Sequence, residues 1–251
     1  MRRALFLMEL RRVRRDPVLL FFVVVLPLVC YLGFGAALPL DQIPGVDVDL
    51  LRPGLMVGLG GYGAATAAST ITGQAAVERL QGWGRQLALT PAGDGGYAVA
   101  KTSVAALVAA LPVALTFLAG ALTGVQLAAW QWLASALVLV VGSLTWACFG
   151  LAVGLAGRSQ SSLAIASGAL VLFSFVGGVY LPLGGELLSV ARWSPLYGYV
   201  TLARWPFTGG RSALVGEPAE QWWVALAGVL AWSALFLLWA RVSLRRARQR
   251  R

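Results

Sequence analysis

ERLQGWGRQLALTPAGDGGYAVAK, residues 78–101, is the segment around which this chain is organised. It is the longest polar interruption between hydrophobic blocks that also carries mixed charge and an amphipathic pattern. Hydrophobic residues make up 59% of the 251 residues and charged residues 12%, against about 45–50% and 25% in a soluble domain. Such a chain has too little polar surface to coat a water-soluble globule. The blocks on both sides of residues 78–101 are therefore predicted to cross a membrane, and the segment itself to face water.

The apolar blocks predict an all-α membrane protein with six transmembrane helices in a single domain, residues 1–251. Asp16 and Pro17 mark a helix start, with Asp as the N-cap and Pro at the first helical position. Pro27 predicts a kink in the first span, and the length of the fourth predicts a tilt or a break near Gly142. The predicted spans are residues 18–37, 54–76, 97–122, 130–156, 161–179 and 221–239, joined by loops that include the polar residues 38–53.

The charges are distributed unevenly along the chain. The net charge is +10, and arginine clusters occupy residues 2–15, before the first apolar block, and residues 241–251, after the last one. Cytoplasmic flanks of membrane spans carry such an excess of positive charge, so both termini are predicted to be cytoplasmic, in a bacterial cell membrane. Nothing aromatic or periodic accompanies the clusters, which argues against nucleic-acid binding. Residues 1–16 are predicted to form an interfacial helix, the alternative being an unstructured basic leader.

The residue types needed for catalysis or metal binding are scarce. The sequence contains no His, which excludes a His-containing triad and the usual zinc sites. Cys30 and Cys148 fall inside apolar blocks and are expected to be small buried side chains. No carboxylate lies within an apolar block, where a proton- or ion-coupled carrier would need one. The sequence therefore predicts a membrane body without its own energy source.

The second span differs from the others in its small residues. It is dense in Gly and Ala and carries several hydroxyl side chains, which allow neighbouring helices to approach closely. This composition predicts either a translocation pathway or ordinary close packing within one chain. Gly150 and Gly154 in the fourth span form a second small-residue pair that indicates a helix contact.

Residues 180–210 are apolar but interrupted by prolines, paired glycines and two arginines. Because lipid cannot satisfy irregular backbone, this stretch must be shielded by protein or lie at the interface. We predict a re-entrant hairpin on the outer side between spans five and six, the alternative being a full span followed by a loop.

Several short motifs, in this order and spacing, resemble the integral-membrane permeases of ABC exporters of the second type, which have six spans and a separate ATPase. The resemblance covers nearly the whole chain. The motifs are RDP at residues 15–17 with Pro27 in the span that follows, ER at 78–79, QGW at 81–83, Leu87, TP at 90–91, Tyr97, Lys101, YLP at 180–182 and WSPLY at 193–197, followed by Arg204.

The resemblance implies a role for three groups of residues. Residues 78–96 would form the coupling-helix loop that docks on the ATPase, through Glu78, Arg79, Gly82, Trp83, Arg85, Leu87, Thr90 and Pro91. The second and fifth spans would line the translocation pathway, through Tyr62, Thr66, Ser69, Thr70, Phe173 and Ser174. The outer hairpin would be built on Tyr180, Pro182, Trp193, Pro195, Tyr197 and Arg204.

The resemblance also implies the partners. They are an ABC ATPase subunit, a second permease subunit that is an identical or a related chain, and membrane lipid. The chain itself would bind no cofactor, and ATP and magnesium would be held by the ATPase. A helix in residues 78–91 has apolar side chains, among them Trp83 and Leu87, to bury on such a partner; the alternative is a helix lying on the inner leaflet.

The function implied is ATP-driven export of an amphiphilic small molecule, a lipid or a lipid-linked glycan. A permease of the same fold for polysaccharide or cofactor export is the alternative. A proton-coupled carrier and a membrane-embedded enzyme are the hypotheses from other classes.

Overall fold

A computed structural model describes residues 2–78, 82, 93–157 and 159–249, and within them the side chains of all but residues 2–5, 93–100, 160, 244 and 247–249. This described part contains helices and no β-strand, which confirms the predicted all-α class; an isolated bridge pairs Val46 with Leu214. In chain order the longer helices are α1 (Arg2–Arg14), α2 (Pro17–Ala37), α3 (Val48–Glu78), α4 (Gly93–Leu122), α5 (Ala129–Gly157), α6 (Gln160–Val176), α7 (Gly185–Ala191), α8 (Pro195–Thr208) and α9 (Trp222–Gln249).

Within the residues that the structure describes, four stretches are long and apolar enough to cross a membrane: Pro17–Ala37, Lys101–Leu122, Ala129–Gly157 and Trp222–Ser243. They correspond to the first, third, fourth and sixth predicted spans. The second predicted span lies in α3, whose 31 residues are long enough but include many small and hydroxyl side chains. The fifth lies in α6, whose 17 residues cover about 26 Å, slightly less than a hydrocarbon core of about 30 Å. The count of six spans stays a prediction.

The start of α2 follows the local signal in the sequence. The Asp16 side chain accepts a hydrogen bond from the Leu19 backbone N–H at 2.9 Å, and Pro17 occupies the first helical position, as predicted. Further along, Phe21–Val25 and Tyr31–Ala37 are π-helical and flank an α-helical turn that contains Pro27. Proline has no N–H for the i−4 carbonyl, so the regular hydrogen-bond ladder is interrupted there.

Helix α3 begins at Val48, earlier than the predicted residue 54, so the prediction that residues 48–53 belong to a polar loop is wrong. The Asp47 backbone carbonyl accepts from the N–H groups of Leu50 and Leu51, which starts the helix ahead of Pro53. The carbonyl that Pro53 leaves without an N–H donor belongs to Asp49, an exposed residue in the first turn of the helix. The proline is therefore tolerated inside the helix.

Helix α3 is the centre of the molecule. Every residue from 53 to 69 is buried, and the helix packs mainly on α5 and α4. Contact with α5 is backbone to backbone: a methyl group added to Gly73 would lie 3.0 Å from the Gly150 carbonyl oxygen, and one added to Gly150 would overlap the Ser69 carbonyl. The predicted close contact made by the glycines of α5 is confirmed.

Helix α5 runs without interruption through Gly142, so of the two predicted alternatives the break is wrong and the tilt stays a prediction. A methyl group added to Gly142 would lie 2.6 Å from the Tyr199 ring, so this glycine makes room for a neighbouring helix. The Tyr199 hydroxyl donates to the Leu139 carbonyl at 2.6 Å and joins α8 to α5. Trp146 lies at the centre of the adjoining aromatic cluster, which also contains Phe149, Phe173, Tyr199 and Phe236.

Two short helices, α7 and α8, occupy the predicted hairpin, residues 180–210. The longer one, Pro195–Thr208, has 14 residues and covers about 21 Å, too short for the alternative of a full span. Whether the two helices re-enter the bilayer stays a prediction.

Candidate functional site

Four charged side chains from three helices meet where α3 ends. Lys101 Nζ lies 2.7 Å from Glu9 Oε2 and 3.1 Å from Glu78 Oε2, and Glu78 Oε1 also pairs with the Arg12 guanidinium. We call Glu9, Arg12, Glu78 and Lys101 the ion cluster. Glu9 and Arg12 belong to α1, Glu78 is the last residue of α3, and Lys101 lies in α4. The cluster therefore joins α1 to both helices that bound residues 79–92.

The inner members of the cluster are buried. Lys101 is 4% exposed and Glu9 5%, whereas the Arg12 side chain is half exposed. Taking an isolated ion out of water costs several kcal/mol, so buried charges are kept only with partners of opposite sign. Two carboxylates and two cations leave the cluster with no net charge.

The structure describes two of the eight predicted coupling residues. Glu78 ends α3, and Gly82 has a φ of 110°, a left-handed conformation that favours glycine. The other six, Arg79, Trp83, Arg85, Leu87, Thr90 and Pro91, lie outside the described residues. The contact of Glu78 with Lys101 and Arg12 shows that its carboxylate faces its own chain.

Sequence reasoning did not assign the roles of Glu9, Arg12 and Lys101 in this cluster. Two signals in the sequence were available. Glu9 is the one acidic residue within the arginine-rich stretch of residues 2–15, and Lys101 is the one lysine in the chain. Neither signal identifies which residues Glu9 and Lys101 contact, because the three helices are distant from one another in sequence.

The predicted pathway residues of α3 are buried inside this chain. Tyr62, Thr66 and Ser69 are each at most 4% exposed, and Thr70 is partly exposed. Thr66 Oγ1 donates to the Tyr62 carbonyl at 2.9 Å, and Ser69 Oγ donates to the Thr66 carbonyl at 3.2 Å. A hydroxyl that donates to a carbonyl of its own helix needs no water or neighbouring partner, so the helix can pack closely around it. A pathway role would require α3 to move so that these groups become accessible, and it stays a prediction.

The two predicted pathway residues of α6 have different surroundings. Ser174 is fully buried and donates to the Val171 carbonyl at 2.6 Å, with the Tyr180 hydroxyl 3.3 Å away. Phe173 is partly buried and belongs to the aromatic cluster around Trp146. In this conformation both side chains serve contacts within the subunit.

Arg204 is the central polar residue of the hairpin. Its Nε donates to the Gly54 carbonyl at 2.9 Å, one terminal nitrogen donates to the Gly178 carbonyl at 3.0 Å, and the other donates to the Val179 carbonyl at 3.3 Å. A guanidinium has donors in several directions, so one side chain serves all three acceptors. Arg204 thereby ties α8 to the first turns of α3 and to the residues that follow α6.

The other predicted hairpin residues are distributed around Arg204. Tyr180 packs on Phe175, with ring centroids 4.7 Å apart, and Pro195 opens α8 at its first position. Pro182 and Tyr197 line a cavity of about 90 Å³ that also contains Arg204. Trp193 is 81% exposed.

A second ion pair lies at the surface of the hairpin. Arg192 Nε is 2.7 Å from Glu220 Oε1, and this hydrogen bond raises the pKa of the Arg192 guanidinium. It links the end of α7 to the segment before α9.

The cavity beneath the hairpin is too small for a drug-sized molecule, because sites for such ligands measure about 300–1,000 Å³. Within the described part of the chain, no group of three or more His, Cys, Asp or Glu side chains is placed to hold a metal ion.

Comparison with known proteins gives two matches. Residues 3–215 match the model of a protein family described as "ABC-2 type transporter". A protein of Bacillus subtilis (strain 168), "Putative transport permease YvfS", is 27% identical over 165 residues, which cover 64% of this chain and 64% of that relative. The chain thus spans less than two thirds of the relative's length.

Proposed function

The chain belongs to the ABC-2 type transporter family, and on this basis we propose that it is the transmembrane subunit of an ATP-driven exporter. The cargo is an amphiphilic small molecule, a lipid or a lipid-linked glycan that leaves the cytoplasm. ATP and magnesium bind to a separate ATPase subunit, which docks on residues 78–96. Two permease subunits, identical or related, face each other in the bilayer with both termini in the cytoplasm of a bacterial cell.

The observation that carries this proposal is the attachment of the two helices that bound residues 79–92. Glu78, the last residue of α3, and Lys101, about two turns into α4, are joined at 3.1 Å, so α3 and α4 are held together close to the docking segment. Helix α3 is buried from residue 53 to residue 69. Because packed interiors transmit displacement rather than absorb it, a push on residues 79–92 reaches the core of the subunit.

The position of the cavity beneath the hairpin bears on where the cargo passes. At about 90 Å³ it admits a few water molecules at most, and none of the six predicted pathway residues lines it. We infer instead a path between two subunits, as the proposed pairing of permeases requires. Tyr62, Thr66, Ser69, Thr70, Phe173 and Ser174 would line that path only in a state in which α3 and α6 have moved apart.

A reconstitution experiment tests the proposal. The protein is solubilised mildly, isolated with the ATPase subunit that accompanies it, and placed in vesicles of phosphatidylethanolamine and phosphatidylglycerol. A fluorescent short-chain phospholipid and a fluorescent cationic dye serve as probes. We expect at least one probe to move with ATP and not with ADP. Movement without any ATPase subunit, or failure to isolate one, contradicts the proposal.

A further inference from the structure

We propose that Lys101 is a positioning residue that clamps the N-terminal helix α1 to the helices bounding residues 79–92, so that a movement of this segment is passed to α1 and α2. The inference rests on the proposed function for its role in transport, but the clamp itself is a property of the isolated chain. It assigns Glu78 a contact within the subunit, in addition to its place at the start of the predicted docking segment.

The geometry of Lys101 carries the first step. One ammonium group lies 2.7 Å from a carboxylate of α1 and 3.1 Å from a carboxylate of α3, while Lys101 itself is part of α4. Both distances are those of charge-assisted hydrogen bonds. A single side chain therefore fixes three helices relative to one another.

The position of Glu9 on α1 carries the second step. Phe6, Glu9 and Val13 are spaced so that they share one face of the helix, and this face is the one turned towards the body of the protein. Leu7 and Met8, on the opposite face, are 50% and 47% exposed. Glu9 is thus the polar anchor at the centre of the attached face, between two apolar contacts.

The electrostatic balance explains why the anchor is strong and specific. Removing one member of a buried ion pair leaves an uncompensated charge away from water, which is far more costly than losing an exposed pair. An apolar contact would allow α1 to slide along α4, whereas an ammonium between two carboxylates has one favourable register. A buried charged group used in this way contributes more to fixing the position of α1 relative to α3 and α4 than to the free energy of unfolding.

The connection from α1 to α2 carries the last step. Only Arg15 and Asp16 separate the two helices, and Asp16 caps α2 through the Leu19 N–H. The Asp16 N–H in turn donates to the Val13 carbonyl at 3.1 Å. With both residues of the junction hydrogen-bonded, a displacement of α1 is passed to α2, the first apolar span.

Two variants separate loss of the clamp from loss of the fold. Lys101→Met alone leaves Glu9 and Glu78 facing each other without their shared cation, and we expect this variant to accumulate poorly. The double variant Lys101→Met with Glu9→Gln removes one cation and one carboxylate together and keeps the Glu78–Arg12 pair. We expect it to accumulate better than Lys101→Met alone, because the buried charge of Glu9 is removed together with its cation.

Hydrogen–deuterium exchange, measured on the purified chain without ATPase or cargo, tests the clamp. In the double variant the backbone amides of α1 should exchange about tenfold faster than in the wild type, since opening the helix then breaks only the Arg12–Glu78 pair, whose arginine is half exposed, and no longer the buried Lys101–Glu9 pair. The matched control is Arg192→Met with Glu220→Gln, which removes the exposed hairpin pair and should leave α1 unchanged. Equal exchange of α1 in the wild type and the Lys101→Met, Glu9→Gln variant overturns the proposal.

Transport per ATP hydrolysed tests the coupling role. With the ATPase subunit and the fluorescent phospholipid, the double variant should hydrolyse ATP but move at least about fivefold less probe per ATP, the lower end of typical coupling between sites. Lys101→Arg, which keeps the charge, should retain most of the wild-type ratio. An unchanged ratio in a double variant with faster α1 exchange overturns the coupling role. If the wild-type complex moves no probe, the proposed function fails, and the exchange experiment still decides the clamp.

Discussion

Arg204 shows how one residue organises the hairpin. Its guanidinium donates to carbonyls of Gly54, Gly178 and Val179, which belong to two separate stretches of the chain. The Gly178 and Val179 carbonyls lie after α6 ends, where helical hydrogen bonding no longer serves the acceptors, whereas the Gly54 carbonyl lies within α3, where Arg204 adds a donor to the helical one. Arg204 therefore supplies hydrogen-bond donors to backbone carbonyls of this irregular region, which are away from water and have no helical N–H partner.

Replacing Arg204 tests this interpretation at the residue scale. Arg204→Met keeps much of the length but removes the guanidinium donors from the Gly178 and Val179 carbonyls, which lie outside any helix, so we expect a loss of about 2–4 kcal/mol in the free energy of unfolding. Arg204→Lys should lose less, because an ammonium still reaches one or two of the acceptors. Thermal unfolding in detergent, followed by tryptophan fluorescence, measures the difference.

The control for Arg204 is Arg211, an arginine of the same region whose side chain has one hydrogen bond, to a carbonyl nearby in sequence. Arg211 is exposed, and its Nε donates to the Thr208 carbonyl at 3.3 Å, three residues away. Arg211→Met should change the free energy of unfolding by less than about 0.5 kcal/mol. Equal losses in the Arg204→Met and Arg211→Met variants would show that loss of positive charge, rather than satisfaction of the backbone, is responsible.

At the scale of elements, the contact between α3 and α5 depends on the absence of side chains. Gly73 approaches the Gly150 carbonyl, and Gly150 lies against the Ser69 carbonyl. Without a Cβ on these residues, two helix backbones come into direct contact, and dispersion forces act over their whole length. The glycines of α3 therefore account for its central position.

Gly150→Ala tests this contact. The added methyl group would overlap the Ser69 carbonyl, which forces the helices apart, and we expect a loss of about 2–3 kcal/mol in the free energy of unfolding. The control is Gly168→Ala in α6, where nothing lies within 4 Å of the added carbon. Thermal unfolding of that variant should show no loss or a gain of about 0.5–1 kcal/mol, because alanine favours the helix. A tolerated Gly150→Ala would mean that the two helices can separate without penalty.

At the scale of the whole molecule, α3 is held at both ends. Arg204 contacts Gly54 near its start, and Lys101 contacts Glu78 at its end. At a rise of 1.5 Å per residue, these two contacts lie about 36 Å apart, more than a hydrocarbon core of about 30 Å. The distance fits a helix that spans the bilayer even though its small residues make it less apolar than the other spans.

The orientation of the molecule is tested by cysteine labelling, in a variant whose Cys30 and Cys148 are replaced by Ala. With both termini in the cytoplasm, Gln42→Cys, in the exposed stretch before α3, should react with a membrane-impermeant maleimide on intact cells. Arg11→Cys and Arg245→Cys, both exposed, should react only after the cells are opened. Different sides for residues 11 and 245 would exclude an even number of spans.

Much of the element order could be predicted from the sequence, because its signals are local. The cap at Asp16 and the apolar runs of α4 and α5 depend on neighbours within a few residues. The predicted break at Gly142 is wrong for the opposite reason, since a glycine inside a helix has the same sequence signature whether it breaks the helix or admits a Tyr199 ring. The start of α3 differs from the prediction because Pro53 resembles a helix breaker, and only the structure shows that Asp49, whose carbonyl it leaves without an N–H donor, is an exposed residue.

By itself the sequence determined the class of protein, the position of its apolar spans and the interruption in residues 180–210, because transfer into a bilayer and helix capping depend on composition and short-range order. Only the tertiary structure decided that Lys101 joins Glu9 to Glu78, and that the hydroxyls of Thr66 and Ser69 are bonded within their own helix. Such contacts depend on how distant helices are juxtaposed, and many pairings of the same charges and small residues are compatible with one pattern of hydrophobicity.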